Sequence, residues 1–315
     1  MRIFTRSEIE KAVVPQEVIA ALERGFVAYS RGEVATPPVG YLRFDDPPGD
    51  LHIKYGHRRG DDTFVIKIAS GFYDNPRLGL GTGNGMMIVL SARTGAPIAT
   101  LLDEACLTDL RTAAAGAVAA KYLAPRAIEA IGIIGGGVQA RLQLDLLRHV
   151  TPCRRALIWA RNPDQAKVYR VEGFEVEPVR SVADLARRCN LIVTTTAARA
   201  ALLKASDVRP GTHITAVGAD APGKQELEAE LFRKAQVRVV DSRSQCFDHG
   251  DAVHALKAGL VQEKDFVELG EVIANPSLGR ARDDQISIVD LTGLAIQDIE
   301  IAKLACQTLM KGART

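Results

Sequence analysis

The sequence predicts an α/β protein in which a doubly wound parallel sheet of the Rossmann type is joined to a smaller α+β domain with an antiparallel sheet. Short apolar segments alternate with helical ones from about residue 130 to residue 290, which is typical of a parallel sheet covered by helices. Closely spaced strand segments separated by turns fill residues 40–102, which indicates antiparallel pairing. We therefore expect two domains, one of residues 1–120 and 292–315 and one of residues 121–291.

The first domain is expected to begin with two helices. Thr5 and Glu8 form a Thr-x-x-Glu capping box, which predicts a helix beginning after Thr5. Pro15 marks the first turn of a second helix that reaches about Tyr29. The segments that follow are expected to be strands near Tyr41–Phe44, Leu51–Tyr55, Thr63–Ser70, Gly85–Ser91 and Ala96–Leu102, and then an alanine-rich helix at Leu107–Leu123.

The second domain opens on the segment IGIIGGGVQA, residues 131–140, in which a buried strand runs into three glycines and a helical pattern. Gly135, Gly137 and Ala140 occupy the small-residue positions of the dinucleotide-binding motif Gly-x-Gly-x-x-Gly/Ala, and the helix that follows presents its N–H groups to a pyrophosphate. An ordinary strand–helix turn is the alternative. The remaining strands are expected near Ala156–Ala160, Leu191–Thr195, His213–Val217, Val237–Val240 and Ser287–Val289, before a final helix at Thr292–Leu309 that can pack back on the first domain.

The composition argues against several other classes of protein. The formal net charge of +2 gives no reason to expect a nucleic-acid partner. The sequence contains no run of about 18 apolar residues, so we expect no membrane span. The five cysteines are scattered without a Cys-x-x-Cys pair, which favours reduced thiols over a disulfide framework or a metal site. Because the N-terminal segment also lacks the apolar core of a signal peptide, we expect a cytoplasmic protein.

The choice between NAD and NADP is expected to depend on the end of the second Rossmann strand. Ala160 falls near the position where NAD-binding domains carry an acidic residue, and Arg161 follows it, which favours NADP(H) unless Arg161 is only a solvated surface residue. Thr194, Thr195 and Thr196 lie at the end of another strand, where their hydroxyls can contact the cofactor ribose or cap a helix.

Candidate residues for substrate chemistry come from separate segments. Lys67 interrupts an apolar strand, Arg111 lies near the start of the alanine-rich helix, and Arg43 lies on the first strand of the antiparallel sheet, so the three cations can bind a carboxylate together. Asp220 follows a strand in a loop of small residues and is a candidate to transfer a proton at an amine or imine nitrogen. The alternatives are an outward-facing Lys67 and a turn-forming Asp220. Gly293 also follows a strand end, where its backbone can approach a nicotinamide.

Several motifs together resemble the ornithine cyclodeaminase/mu-crystallin family of NAD(P)-dependent enzymes. They are VIKIASGFYDNPRLGL, LTDLRTAAAGAVAAKYLAP, IGIIGGGVQA, AVGADAPGKQEL and DLTGLAIQD, which occur in the family's order between about residues 40 and 300. The resemblance implies a homodimer joined through the sheet of the first domain, and hydride transfer at the α-carbon of an amino or imino acid. It implies that Lys67 and Arg111 bind the substrate carboxylate, that Asp220 is the catalytic acid/base and, on a looser match, that Arg43 is a third substrate cation.

Two departures from the family pattern narrow the expected substrate and cofactor. Ornithine-specific members carry a carboxylate upstream of the lysine, whereas Lys54 lies near that position here and suits a substrate with a second carboxylate or an apolar side chain. The second departure is the absence of an acidic residue at the end of the second Rossmann strand, where the segment Trp159–Arg161 resembles the NADPH-using reductases. Residues 65–120 also resemble a deaminase-like branch of the family that is associated with ectoine breakdown.

We therefore expect an imine (ketimine) reductase or an amino-acid dehydrogenase. Its expected catalytic residues are Asp220, which transfers the proton at nitrogen, and Lys67, which binds the carboxylate and helps to polarise the site. The alternatives are an ornithine cyclodeaminase, which is a lyase that converts ornithine to proline with bound NAD, and a non-catalytic NADP-dependent binding protein of the mu-crystallin type. The cofactor contacts are expected at Thr82, Arg111, Thr112, Gly135, Gly137, Val138, Gln139, Ala160, Arg161, Asn162, Thr194, Thr195, Thr196, Val217, Gly218 and Gly293.

Overall fold

The structure is a computed structural model that describes residues 1–312, and the chain divides into two compact units. The first unit comprises Met1–Arg111 and Leu294–Thr315, and the second comprises Thr112–Gly293. The boundary between them falls within the helix Cys106–Leu123, which also contains the boundary expected from the sequence at residue 120.

The first unit is built on a seven-stranded sheet. Its strands are β1 (Arg2–Thr5), β2 (Val34–Ala35), β3 (Gly40–Asp45), β4 (Pro48–Arg58), β5 (Thr63–Phe72), β6 (Gly83–Ser91) and β7 (Pro97–Leu102). The order is β1-β7-β6-β5-β4-β2, with β3 also paired to β4, and every pair is antiparallel except β1 with β7. The five predicted strands are confirmed. Strand β1 was not predicted, because Phe4 is its only buried residue and leaves no alternating pattern.

Helices pack on this sheet. They are α1 (Arg6–Ala12), α2 (Pro15–Ser30), the first turns of α3 (Cys106–Leu123) and, numbered along the whole chain, α11 (Ala295–Gly312). The predicted capping box of α1 is present, with the Thr5 N–H and hydroxyl both donating to Glu8 Oε2. Helix α11 lies against α2 and strands β4 and β5, which brings Asp298 in its first turn next to Lys67.

The second unit contains an eight-stranded sheet in which all neighbours are parallel. Its strands are β8 (Ile131–Ile134), β9 (Arg155–Trp159), β10 (Glu175–Pro178), β11 (Leu191–Thr194), β13 (His213–Ala216), β15 (Val237–Val240), β16 (Val267–Glu268) and β17 (Ser287–Asp290). The order is β10-β9-β8-β11-β13-β17-β15-β16, so the direction of winding reverses between β8 and β11. Ligands of open α/β sheets bind at the carboxyl ends of the strands where this reversal occurs.

Two short strands, β12 (Arg199–Leu203) and β14 (Gln225–Leu227), form a separate parallel pair. The helices of the second unit are the remainder of α3, α4 (Val138–Leu147), α5 (Pro163–Lys167), α6 (Val182–Arg188), α7 (Ala229–Lys234), α8 (Arg243–His249), α9 (Ala252–Lys257) and α10 (Leu269–Ala274). Single 3₁₀ turns occur at Asn75–Leu78 in the first unit and at Glu263–Asp265 and Pro276–Leu278 in the second.

The predicted fold class is confirmed by the parallel α/β sheet and the mixed sheet. The central strands β8, β11, β13 and β17 are buried along their whole length, since both faces of a parallel sheet are covered. Edge strand β10 was not predicted, because its glutamates and proline are exposed. None of the helices within residues 1–312 is long and apolar enough to cross a bilayer.

The final helix begins at Ala295, three residues later than predicted. Thr292 and Gly293 instead form a turn, with Gly293 at φ +84° and both backbone N–H groups donating to Asp241 Oδ2. The buried carboxylate of Asp241 therefore holds this turn out of the helix.

Candidate functional site

Lys67 is buried in the middle of strand β5 and forms an ion pair with Asp298 on helix α11. Its Nζ lies 2.9 Å from Asp298 Oδ2, and Arg111 Nε donates to Asp298 Oδ1 at 3.0 Å. Arg111 also donates from Nη1 to Gln297 Oε1 at 2.9 Å. All three charged side chains are at least nine-tenths buried, and Asp298 is 1% exposed. One carboxylate thus holds two buried cations in fixed positions within the first unit.

A third cation adds to the positive charge of this cluster. Lys54 on β4 is directly opposite Lys67 in the antiparallel register, so the two side chains leave the sheet on the same face. Burial, aided by the charges of Arg111 and Lys54, lowers the pKa of Lys67 to about 7, and the charge of Asp298 opposes this decrease. Burial acts to raise the pKa of Asp298, but Lys67, Arg111 and Lys54 outweigh it and the net shift is downward. The excess of positive charge favours a bound anion such as a carboxylate.

Asp103 is a buried acid next to this cluster that the sequence analysis did not identify. Its Oδ2 accepts the N–H of Leu107 at 3.0 Å, which caps the helix that carries Arg111. Burial raises its pKa, while the Leu107 N–H and the charge of Lys67 act in the opposite direction. Glu104 and Ala105 follow at φ +48° and +68°, a strained conformation for residues other than glycine. An aspartate shortly before the first turn of a helix was the available sequence signal.

The structure does not bring Arg43 to the Lys67 cluster. Arg43 is exposed on β3, and its Nε lies 3.1 Å from Asp45 Oδ1. It is opposite Asp50 in the register, whereas Lys54, four residues further along β4, is opposite Lys67. Four residues of strand span about 13 Å, so the backbone positions of Arg43 and Lys67 are separated by that distance along the sheet.

Thr82 and Thr112 were both expected to contact the cofactor. In the structure, the backbone carbonyl of each accepts a hydrogen bond from another residue. Thr82 is exposed before β6 and accepts the N–H of Phe72 at 2.9 Å. Thr112 is half-buried and accepts a hydrogen bond from Gln143 Nε2 at 3.2 Å.

The glycine turn after β8 has the backbone geometry expected of a dinucleotide-binding loop. Gly135 adopts φ +138°, and a Cβ there would lie 2.3 Å from Thr195 Oγ1, at the point where the sheet reverses. Gly137 is the N-cap of α4, and a Cβ at this position would meet no atom within 4 Å. Val138 in the first turn is exposed and Gln139 is partly buried. The open backbone at the start of a ten-residue helix fits the pyrophosphate of a dinucleotide.

The end of β9 lies beside this turn. Gly135 N–H donates to the carbonyl of Trp159 at 2.8 Å, and Ala160 is buried, so no acidic side chain occupies that position. Arg161 and Asn162 are exposed, and Asn162 Oδ1 accepts the N–H of Asp164 to cap α5. Arg161 is therefore the charged side chain at this end of the strand.

Two of the three threonines at the end of β11 bind Glu226, a partner that neither sequence-based interpretation included. Thr194 Oγ1 donates to Glu226 Oε2 at 2.6 Å, while the Thr196 N–H and Oγ1 donate to Glu226 Oε1 at 2.5 and 2.7 Å. Thr195 Oγ1 instead contacts the carbonyl of Ile134 at 3.3 Å. The hydroxyls of Thr194 and Thr196 are thus directed to a buried carboxylate, and they do not cap a helix.

Asp220 lies on the loop that follows β13. Its carboxylate is exposed, and Oδ1 lies 2.5 Å from Lys224 Nζ. At the start of the loop, Val217 is buried and its N–H donates to the carbonyl of Thr194, while the Gly218 N–H donates to Glu226 Oε2 at 2.7 Å. The loop therefore presents an accessible carboxylate on an anchored base.

Glu226 and the neighbouring buried acids were missed by the sequence analysis. Burial and the charge of Asp251 together raise the pKa of Glu226 to about 7. Burial likewise raises the pKa of Asp251 to about 6 and that of Asp290 well above its ordinary value. The only sequence signal for these buried acids was a charged residue between short apolar segments. The same pattern is common at exposed positions, so it does not identify a buried acid.

The chain is similar to known proteins over almost its full length. The sequence model of the ornithine cyclodeaminase/mu-crystallin family matches residues 1–312. A putative dehydrogenase of Rhizobium meliloti is 42% identical over 313 residues, which cover 97% of this chain and 94% of the relative. The structure of Thermococcus litoralis Δ1-pyrroline-2-carboxylate reductase in complex with NADH and L-proline superposes with a TM-score of 0.92 at 31% identity, covering 99% of this chain and 98% of that one. An archaeal alanine dehydrogenase dimer with bound NAD has a TM-score of 0.90 at 35% identity, covering 99% and 97%.

Proposed function

Because the chain belongs to the ornithine cyclodeaminase/mu-crystallin family, as its motifs predict, we propose that it is an NAD(P)-dependent oxidoreductase acting on CH–NH2 or C=N groups. It works as an imine (ketimine) reductase or an amino-acid dehydrogenase. The observation that carries this proposal is the buried cluster of Lys67, Arg111 and Asp298, which places two cations around one carboxylate and retains positive charge for an anionic substrate.

Lys67 and Arg111 bind the carboxylate of the amino or imino acid. Asp298 orients both cations, and Gln297 fixes a second edge of the Arg111 guanidinium. Since these side chains are held by buried partners before substrate arrives, little conformational entropy is lost on binding. Lys67, with its pKa lowered to about 7 by burial, is charged in only part of the molecules at neutral pH.

An NAD(P) cofactor, when bound, would provide hydride-transfer chemistry at the substrate α-carbon. The matching proton enters or leaves at the substrate nitrogen, so that an imine, a hydride and a proton give an amine. We assign this proton transfer to Asp220, whose carboxylate is accessible and lies 2.5 Å from Lys224 Nζ. The backbone of the Gly135–Val138 turn holds the pyrophosphate, and Gly293 lies at a strand end where its backbone can approach the nicotinamide.

NADP(H) is the preferred cofactor in this proposal. The buried Ala160 offers no acid to a ribose 2′-hydroxyl, and the exposed Arg161 next to it suits a 2′-phosphate. The solved relatives described above contain NADH or NAD, so the preference of this chain has to be measured with both cofactors.

We also propose that the protein is a cytoplasmic homodimer joined through the sheet of the first unit. Leu42 on β3 and Tyr55 on β4 point to the same face of the sheet and are 53% and 39% exposed, which gives apolar surface of the kind that subunit interfaces cover. All five cysteines are free thiols, in keeping with a reducing compartment. Light scattering of the wild type and of Leu42→Glu tests the dimer, and a monomeric wild type would contradict it.

A panel of 2-oxo acids with ammonia or amines, cyclic imines and amino acids, assayed with NADH and NADPH separately, tests the proposed reaction. Oxidation of the reduced cofactor by an imine substrate supports it. Formation of proline and ammonia from ornithine without net change in the cofactor absorbance would contradict it and establish a cyclodeaminase. Cofactor binding without turnover of any substrate would indicate a binding protein.

Asp220→Asn tests the proposed acid/base. We expect loss of turnover by about 100-fold or more with cofactor affinity retained, since general acid–base catalysis contributes on that scale. Asp248→Asn, at another exposed carboxylate of the second unit, is the matched control and should behave as wild type. Full turnover by Asp220→Asn would remove this residue from the mechanism.

A further inference from the structure

Glu226 is a fully buried carboxylate that accepts hydrogen bonds from two separate strand ends. Oε2 accepts the Thr194 hydroxyl at 2.6 Å and the Gly218 N–H at 2.7 Å, and Oε1 accepts the Thr196 N–H and hydroxyl. Neither carboxylate oxygen is paired with a cation in these contacts. The side chain therefore replaces the backbone hydrogen bonds that neighbouring strands lose where the sheet ends.

One of the four bonds joins the two ends of the loop that carries Asp220, and the other three attach Glu226 to the end of β11. Thr194 ends β11, and Gly218 lies two residues beyond the end of β13, the neighbouring strand. The chain leaves the sheet at Gly218, passes through Asp220 and returns at Gln225–Leu227 in β14, which carries Glu226. The bond from Gly218 to Glu226 closes this loop at its base. The returning end is also held by the Gln225 N–H, which donates to the Ala198 carbonyl at 2.8 Å, and by His254 Nε2, which lies 3.0 Å from the Lys224 carbonyl.

The backbone of Glu226 is itself anchored from behind. Asp251 Oδ1 accepts the N–H groups of Glu226 and Leu227 at 2.8 and 2.9 Å. Asp290 Oδ2 accepts the N–H of Ala252, the residue after Asp251, at 2.8 Å. A chain of buried carboxylates thus connects the end of β17 to the loop base, each accepting backbone N–H groups.

The residue at position 218 is also required by this contact. A Cβ on Gly218 would lie 2.6 Å from Glu226 Oε2 and 2.1 Å from the carbonyl of Thr196. No side chain fits there while Glu226 keeps its bonds, so the glycine is needed for close approach to the carboxylate.

We propose that Glu226 is a positioning residue that clamps the base of the 218–226 loop and thereby holds Asp220 in place for proton transfer. This inference rests on the proposed function, because it assigns Glu226 a role through Asp220. The clamp itself is a property of the unliganded protein and can be measured without substrate. A purely structural role for Glu226 would lower stability without separating turnover from cofactor binding.

Glu226→Gln is the test, because it keeps the shape of the side chain while removing one acceptor. The glutamine amide has one oxygen, so its NH2 group takes the place of the other carboxylate oxygen in either orientation. This NH2 group then faces the backbone N–H of Thr196 or that of Gly218, and because both groups are donors, that hydrogen bond is lost. We expect hydrogen exchange of residues 219–225 to accelerate and hydride transfer to slow by about tenfold or more, with the cofactor dissociation constant changed by less than about threefold.

The matched control is Glu228→Gln. Glu228 follows the same short strand, and its Oε2 accepts the N–H of Ala205 at 2.7 Å, away from the loop base. Its substitution removes an acceptor of the same kind from the same unit, so exchange of residues 219–225 and turnover should remain at the wild-type level.

Unchanged loop exchange in a folded Glu226→Gln protein would overturn the clamp, even if the wild type proved to have no oxidoreductase activity. Faster loop exchange with undiminished turnover would overturn the positioning role. If Glu226→Gln does not fold, Thr194→Val removes a single hydroxyl bond and keeps both backbone bonds. It should then give a smaller increase in loop exchange and a severalfold slower turnover, and wild-type behaviour in both measurements would refute the proposal.

Discussion

Asp298→Asn is the substitution that tests the Lys67 cluster most directly. Asp298 is the carboxylate that pairs with both Lys67 and Arg111, at 2.9 and 3.0 Å, and it is 1% exposed. Removing one partner of a buried ion pair leaves uncompensated charge and costs about 3–5 kcal/mol. We therefore expect a folded but less stable protein, with a melting temperature lower by roughly 10 °C.

The same substitution should move the pH dependence of substrate capture. Lys67 has a pKa lowered by burial to about 7, and the charge of Asp298 opposes that decrease. Loss of this charge lowers the pKa of Lys67 further. Two unit charges 3 Å apart interact by about 5 kcal/mol at an effective dielectric constant of about 20, and the asparagine dipole and structural relaxation recover most of this, so a downward shift of one pH unit or more is expected.

The assay is the pH profile of kcat/KM for an imino or amino acid substrate, which reports the ionisations of the free enzyme. In the wild type, kcat/KM should decrease as the pH rises through about 7, because neutral Lys67 no longer attracts the carboxylate. In Asp298→Asn the decrease should begin at lower pH. The side-chain amide keeps the size of the residue, so the shift reports charge and not the loss of packing.

Glu300→Gln is the matched control on the same helix. Glu300 is also buried, and its Oε1 lies 3.4 Å from Arg58 and 3.7 Å from Lys303. Its substitution should lower stability and leave the pH profile where it is in the wild type. If Asp298→Asn also leaves the profile unmoved, Lys67 is not the group whose charge binds the substrate.

Three further predictions concern the substrate, the cofactor and the glycine turn. Lys54→Gln should move the decrease in kcat/KM to higher pH, because Lys54 lowers the pKa of Lys67. It should also weaken the binding of a substrate with a second carboxylate by about tenfold relative to that of an apolar substrate. Equal effects on the two substrates would exclude a contact between Lys54 and the substrate side chain. Arg161→Ser should raise the KM for NADPH about tenfold and leave that for NADH unchanged, and a parallel change in both would contradict a 2′-phosphate contact. Gly135→Ala should destabilise the second unit by at least ~2 kcal/mol and abolish cofactor binding. The reason is that φ +138° is unfavourable for alanine and that its Cβ would overlap the Thr195 hydroxyl. An unchanged melting temperature would refute the predicted loss of stability.

Much of the fold could be predicted because its determinants are local. The alternation of short apolar strands with helices, the Thr5–Glu8 capping box and the three glycines after Ile134 are each readable within a few residues, and the structure contains all of them. The elements that were missed, such as β1 and β10, lie at sheet edges, where only one or no residue is buried and the apolar pattern disappears.

The positions of charged groups were predicted less completely. Lys67 and Arg111 stand out in the sequence, and the structure brings them to a common carboxylate. Arg43 was expected with them, but the register of β3 on β4 places it several residues away along the sheet. Register depends on pairing between strands, which the spacing of candidate cations along the chain does not contain.

The sequence by itself determined the type of each unit and the glycine turn after β8, and it singled out Lys67 as a charge in an apolar strand, because these features depend on local backbone conformation or on the cost of burying a charge. Only the tertiary structure decided which acids neutralise and orient these groups. Asp298 reaches Lys67 from the last helix of the chain, and Glu226 reaches Thr194 and Gly218 across two neighbouring strands. A buried charge requires a partner, and the partner comes from the segment that the fold brings within about 3 Å of it. Packing between residues distant in sequence decides which segment that is.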